Sequence, residues 1–284
     1  MTSPLKALLE QLQRDFRHGE VELPTLPELT FRIRKSLYDD KSNLDTISRL
    51  IQLDPSLSTR LIQMANSASY RGAETISDCR GAITKLGLGV TRNVVTSLTL
   101  KNAWQRQRSA EINQLVKSAW QRSCRVGAIA HVLASLNIGI RPDQAMLGGM
   151  LHNIGTLPLV GYLERHPHAL SAEELHHLAQ HYQGALGTLL LKFWSFDSAY
   201  IDIPSKSSHL DYTNPQEGVD LSELILIARL HSRINDANRE QSLRQLEQIP
   251  AYQKISLSRL GSGATLELLE EAQLEIDQLI KNLQ

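Results

Sequence analysis

The heptapeptide Gly149-Met-Leu-His-Asn-Ile-Gly155 sets an imidazole beside a carboxamide. The ring of His152 is a good ligand for a divalent cation, and an adjacent carboxylate would balance its charge and bridge to a second ion. Asn153 offers a neutral amide instead, which bridges poorly. A second constellation is the histidine cluster His166, His168, His176, His177 and His181. His177 and His181 are four apart and would share a helical face, a spacing that can hold zinc. Zinc proteases of that pattern need Glu directly after the first His, and Leu178 stands there, so the general base is absent. A solvated or hydrogen-bonded helix face is the structural reading of the pair. If the cluster titrates, it could sense pH. Gly87-Leu-Gly-Val90 lacks the Lys-Ser/Thr ending of a phosphate loop and follows no strand, so it reads as a helix stop and restart. Cys79 and Cys124 give neither a disulfide framework nor a zinc-site spacing, and fit structural thiols in a reducing cytoplasm.

Helices must position these groups, because strand alternation hardly appears. Ser3-Pro4 starts a first helix with the stripe Leu5, Leu8, Leu9, Leu12 and Phe16. Thr25 and Glu28 have capping-box spacing before Leu29, Ile33 and Leu37. Asn43 and Asp54-Pro55 cap the next two helices, the second ending near Asn66-Ser67. Asn66 suits a left-handed helix end, and its amide can bond nearby backbone. Ser77 or Asp78 begins a helix that Gly87 closes. Val90 to Trp104 continues helically to a polar connector, Lys101 to Glu111, where Arg106 and Arg108 read as a solvated loop rather than a nucleic-acid patch. A long helix is expected from about Ile112 to Leu136, and another from Pro142 to Asn153 with Gly155 as its stop. Ser171/Glu174 and Asp220/Glu223 form further capping boxes. Trp104, Trp120 and Trp194 read as core. Leu266, Leu269, Ala272, Ile276, Leu279 and Leu283 trace one amphipathic helix about five turns long, after a Gly-Ser-Gly hinge at 261–263. It either docks on its own domain or pairs with another chain. The fold class is therefore all-α.

Composition narrows the function classes. Of 284 residues, 42% are apolar, and thirty basic residues balance thirty acidic ones. No net field attracts nucleic acid or an anionic membrane. The first residues, MTSPLKALLEQLQRDF, lack the apolar block of a signal peptide, and the densest apolar run, Leu224 to Ala228, is far shorter than the ~20 residues that span a bilayer.

Two groups of motifs resemble one family. The first is Leu23-Pro-Thr-Leu-Pro27, then Asp54-Pro-Ser-Leu-Ser-Thr-Arg-Leu-Ile-Gln-Met-Ala-Asn-Ser-Ala68, then Ala82-Ile-Thr-Lys-Leu-Gly87. The second is Gly149 to Gly155, followed by Gly184-Ala-Leu-Gly-Thr-Leu-Leu-Leu-Lys-Phe-Trp194. Their order and spacing, over roughly residues 20 to 210, resemble the HDOD domain, a relative of HD and HD-GYP phosphohydrolases found in bacterial signalling proteins. The resemblance implies an N-terminal helical lobe (20–108) packed on an HD-like lobe (109–213), together the domain 20–213. It leaves an N-terminal helix (1–19) and a C-terminal helical extension (214–284).

In HD hydrolases a His, a His-Asp pair and a later Asp hold the metal. The stretch that resembles the first-His helix is Gln121-Arg-Ser-Cys-Arg-Val-Gly-Ala-Ile-Ala130, which puts Arg122 in the His place. His152 remains and Asn153 replaces the Asp. After Trp194, serines fall at 207 and 208, and Asp197 and Asp202 lie where the pattern does not ask for them. These losses argue against a dinuclear site. His152 then reads as a helix-end residue bonding the last carbonyls. Arg122 reads as half of a buried ion pair or, functionally, as a fork for a carboxylate or phosphate.

The resulting expectation is a cytoplasmic, non-catalytic signal-transduction protein with no cofactor and no metal. It would act through protein contacts with a signalling partner, could self-associate through its C-terminal helix, and would bind neither nucleic acid nor membrane. Asn66, Ser67, Arg122, His152 and Asn153 are the candidate groove, and His177 with His181 the weaker metal pair. The alternatives are a metal-dependent phosphodiesterase acting on (cyclic di)nucleotides and a nucleotide-binding sensor without catalysis.

Overall fold

Side-chain caps start several of the helices where the sequence places them. Asn43 accepts from the Thr46 amide (2.8 Å), Asp54 from Leu57 (3.1 Å) and Asp78 from Gly81 (2.8 Å), and both Ser171/Glu174 and Asp220/Glu223 close as reciprocal capping boxes. A computed structural model describes residues 3–39, 42–70, 75–105, 109–136, 139–166, 170–235, 237–255 and 262–284. Among these are sixteen α-helices, one 3-10 turn and no strand. Arg106, Arg108, His168 and the Gly261 end of the expected hinge lie outside the described residues, as do the side chains of Leu5 and Leu9.

The N-terminal lobe holds α2 (Glu28–Tyr38), α3 (Leu44–Gln52), α4 (Pro55–Ala65) and α5 (Cys79–Trp104), and α5 is broken at Gly87, where φ is 75°. The HD-like lobe holds α6 (Ala110–Ala134), α7 (Pro142–Leu151), α8 (Thr156–Arg165), α9 (Ala172–Phe193) and the short α10 (Ser198–Ile201) and α11 (Ile203–Lys206). One apolar core runs through both lobes and on into the C-terminal helices. The first helix, α1 (Ser3–His18), joins a smaller cluster in which Leu8 and Leu12 pack with Tyr162, Leu178 and Leu186 of the HD-like lobe. The Pro-rich entry segment is tied to the same lobe, since Trp194 donates from Nε1 to the Pro24 carbonyl (2.7 Å). Buried Arg34 on α2 donates to the carbonyls of Trp194 and Ser195 (3.2 Å each) and lies over Phe196. The two motif groups therefore meet in space.

Beyond residue 213, α12 (Leu221–His231) packs on α6 and α7. It is followed by α13 (Arg239–Glu247), α14 (Pro250–Gln253), α15 (Ser262–Glu271) and α16 (Gln273–Leu283). No helix among the described residues is long and apolar enough to cross a membrane.

Four local expectations are corrected. The Thr25/Glu28 capping box does not form: α2 starts after Pro27 with no side-chain cap, because the chain through Pro24 is committed to Trp194. Asn66 is not left-handed (φ −98°), since its amide is held in a two-point bond to Ile76. The helix from Pro142 ends at Leu151, and Gly155 precedes the next helix rather than stopping this one. The terminal amphipathic stretch is two helices broken at Ala272. Its stripe (Leu266, Leu269, Ile276, Leu279, Leu283) is buried, with α16 against α4, α5 and α6 of the same chain. Only the outward face, with Leu274 86% exposed, is open to a second copy.

Candidate functional site

The GMLHNIG stretch works through its glycines first. A Cβ on Gly149 would lie 2.5 Å from the Cα of Gly127, so α6 and α7 cross with backbone against backbone. A Cβ on Gly155 would lie 1.9 Å from the carbonyl oxygen of Gln183, so the turn after α7 is pressed onto α9. This packing gathers Arg122 from α6, His152 and Asn153 from the turn, and His176 and Gln183 from α9 around a cavity of about 260 Å³. Arg229 on α12 and Arg233 just beyond it complete the lining.

His152 is the C-terminal cap of α7, and its Nδ1 donates to the Gly149 carbonyl (2.5 Å). Burial, then the positive charge of Arg229, holds its pKa well below the usual imidazole value; Arg122 and Arg233 add to this, and the Gly149 bond opposes it. The ring is neutral near pH 7, and Nε2 carries its lone pair. Burial lowers the pKa of Arg229 to about 10, helped by Arg233 and Arg122, while its guanidinium donates to the Ser207 carbonyl. Burial also lowers that of Arg122, with Arg233 again adding to it. The ion pair expected of Arg122 is absent: among the described residues none of the three arginines meets a carboxylate. Asn153 is buried, and among the described residues its Nδ2 has no hydrogen-bond partner.

Arg122, His152 and Asn153 thus come together, whereas Asn66 and Ser67 lie at the end of α4. There Asn66 bonds the Ile76 carbonyl (2.8 Å) and amide (2.9 Å), and the Ser67 hydroxyl donates to the Met64 carbonyl (2.8 Å). His177 and His181 sit on the exposed face of α9, with nearly parallel rings 6.5 Å apart. Among the described residues of the cluster, their neighbour His176 is the one that reaches the cavity. Asp197 accepts from Tyr38 (2.8 Å) and Asp202 pairs with Lys206 (3.2 Å); neither lines the cavity. Sequence reasoning missed Arg229 and Arg233. The available signal was two arginines four apart at the end of the apolar run Leu224 to Ala228, a run read only for its hydropathy.

A metal pair requires carboxylates to balance its charge and to lower the pKa of bound water. The lining offers three guanidinium groups, the imidazoles of His152 and His176, the first with one nitrogen committed to a carbonyl, and the carboxamides of Asn153, Gln180 and Gln183, with no carboxylate among these described residues. These residues do not fit a dinuclear metal centre, and the HD ligand set is degenerate and non-catalytic for metal-dependent hydrolysis. Among the described residues, no group of three or more His, Cys, Asp or Glu could hold a metal ion.

Comparison with known proteins agrees with the all-helical fold. A candidate metal-dependent phosphohydrolase from Shewanella amazonensis SB2B superposes with a TM-score of 0.83 at 24% identity, over 100% of both chains. An HDOD domain protein of unknown function from Geobacter sulfurreducens gives 0.65 at 20% identity, over 96% of this chain and 97% of its own. A candidate signal transduction protein from Marinobacter aquaeolei VT8 gives 0.57 at 19%, over 98% of this chain and 65% of its own. An uncharacterized protein of Treponema pallidum (strain Nichols) is 27% identical over 139 residues, 47% of this chain and 25% of that protein's length. The chain spans about a quarter of that relative. The family model for the HDOD domain matches residues 23–209, and with its all-helical fold and its degenerate HD pocket the chain belongs to the HDOD family.

Proposed function

We propose that this protein is a cytoplasmic, non-catalytic regulatory module whose output is contact with a partner protein of a signalling pathway. The observation that carries the reading is the pocket lining, in which Arg122, Arg229 and Arg233 bring three guanidinium groups and, among the described residues, no carboxylate, with Arg122 at the position that the family resemblance gives to a metal-binding imidazole. The reading accords with the signal-transduction description of the Marinobacter protein. It takes the two lobes, 20–108 and 109–213, as the HDOD domain, with 1–19 as a docked helix and 214–284 as an extension that completes the pocket. The partner surface is assigned to exposed aromatic side chains where the lobes meet: Phe31 (56% exposed) on α2 and Phe193 (55%) at the end of α9.

The test begins with protein purified without chelator. Metal content should be far below one ion per chain, and phosphodiesters supplied with iron or manganese should not turn over. Two ions bound beside His152 with turnover would sink the reading. A partner captured from the native cell should be lost with Phe31→Ser plus Phe193→Ser, while the circular dichroism and melting temperature stay those of the wild type. Self-association is assigned to the outward face of α16, and sedimentation of Leu274→Ser against the wild type checks it.

A further inference from the structure

The arginine cluster poses an electrostatic problem that the fold leaves unsolved. The charge of Arg233 adds to burial in lowering the pKa of Arg122 and of Arg229, Arg122 adds to that of Arg229, and among the described residues no carboxylate pairs with any of the three. Arg122 and Arg229 are half-buried and Arg233 is exposed; cations drawn partly out of water are costly without counter-charge, and a structural ion cluster normally contains its own. Next to the cations, buried Asn153 holds an amide donor with nothing to bond among the described residues. Four donors therefore converge on one space. His152 contributes the opposite character, because its Nδ1 proton is committed to Gly149 and Nε2 is left to accept from a hydroxyl.

The space does not end at this pocket. A second cavity of about 510 Å³ shares Arg229, Arg233, Gln180 and Gln183 with it and adds the apolar side chains of Leu226 and Leu230. None of the described residues lining either cavity carries a carboxylate. A polar, cationic end joined to a roomier, partly apolar one is the form of a site for a small amphiphilic anion.

We propose that this cleft binds a small organic phosphate, its phosphate group clamped by Arg122, Arg229 and Arg233 and its organic part seated in the larger cavity. Guanidinium forks match phosphate oxygens in pairs, and several of them suit a tetrahedral anion better than a planar carboxylate. The Asn153 amide supplies a further donor, and His152 Nε2 accepts from a ligand hydroxyl. Neutralising the cluster would stabilise the α6–α12 junction and couple ligand binding to the regulatory surface. The inference rests on the non-catalytic reading of the pocket given above.

The full chain is titrated by calorimetry and thermal shift with inorganic phosphate, AMP as a monoester, cyclic AMP as a diester, and citrate at matched ionic strength. AMP or cyclic AMP should raise the melting temperature, and whichever does so more strongly identifies the monoester or diester class. Inorganic phosphate should bind more weakly, because it leaves the larger cavity empty, and citrate should not compete. Arg122→Gln and Arg233→Gln should each weaken binding by roughly tenfold or more. Without ligand, both should melt at or above the wild-type temperature, since each removes like-charge repulsion. No shift with any phosphate, equal stabilisation by citrate, inorganic phosphate binding as tightly as the esters, or unchanged affinity in both variants would each overturn the proposal. Hydrolysis of cyclic AMP in the presence of metal would instead overturn the non-catalytic reading while leaving phosphate binding in place, so the two failures are distinct.

Discussion

Helix α12 carries a charge drawn in from solvent near each end, buried at one and half-buried at the other, and the fold treats the two in opposite ways. Glu223, in its first turn, has no exposed side-chain surface. It accepts from Lys254 Nζ (2.7 Å), the Thr213 hydroxyl (3.0 Å) and the amides of Asn214 (3.0 Å) and Asp220 (2.9 Å), and from the Asn214 side chain. Burial alone would raise its pKa, yet the bonds from Lys254, Asp220, Asn214 and Thr213 outweigh burial and hold it below the usual carboxylate value. Arg229, in the last turn, is half-buried, but its charged neighbours are two more arginines and its donated bond goes to the Ser207 carbonyl. A charge wrapped by partners belongs to the scaffold. A charge left facing a cavity and its own kind belongs to a site.

If that contrast is right, breaking the wrapped charge should have the largest effect. Glu223→Leu strands Lys254 and several backbone donors, and should cost about 3–5 kcal/mol in urea denaturation. A cost near zero would erase the distinction between the two ends.

Acid should act next. His231 follows Arg229 on the same helix but faces inward, with Nδ1 donating to the Ile227 carbonyl (3.0 Å) and Nε2 accepting from Thr265 (3.0 Å). Burial lowers its pKa to about 4, against an ordinary value of 6.5. Above pH 6.5 both the folded and the unfolded forms are neutral there. As pH falls below 6.5 the unfolded chain takes up the proton first, so stability declines until about pH 4, by roughly 3 kcal/mol in total. Glu223 adds to the loss at the acid end, because its lowered pKa makes its contribution fade as pH falls through the folded value. His231→Gln should flatten the stability profile between pH 6.5 and 4.5; an unchanged slope would assign the acid sensitivity elsewhere.

Smaller effects sharpen the same comparison. Asn66→Ala removes two bonds to Ile76 from a fully paired turn and should cost about 2 kcal/mol, read as a lower urea midpoint with an unchanged slope. Arg122→Gln removes a charge with no partner and should fall within about 0.5 kcal/mol of the wild type, or above it. A loss as large as that of Asn66→Ala would mean that Arg122 is held by the fold after all.

Much of the scaffold was legible because its signals are local. Asn43, Asp54, Asp78, Ser171 and Asp220 each cap through an oxygen and an amide three residues apart, so a few residues of sequence contain the whole interaction. The Thr25/Glu28 box failed for the converse reason. Its spacing was right, but the chain before it is pinned at Pro24 by Trp194, far away in sequence. The break at Ala272 likewise follows from docking: α15 packs on α13 and α6, while α16 packs on α4, α5 and α6, and no straight helix serves both.

By itself the sequence determined that the chain is helical and that it carries the HDOD motifs, since residue type and spacing suffice for each; the resemblance then put Arg122 and Asn153 in the places of two metal ligands as an expectation. Only the tertiary structure decided that Arg229 and Arg233 join Arg122, that Asn66 stands apart, and that the terminal stripe is buried in cis. Those outcomes depend on how closely helices approach, through contacts such as Gly127 against Gly149, and no local pattern encodes the distance between residues a hundred positions apart.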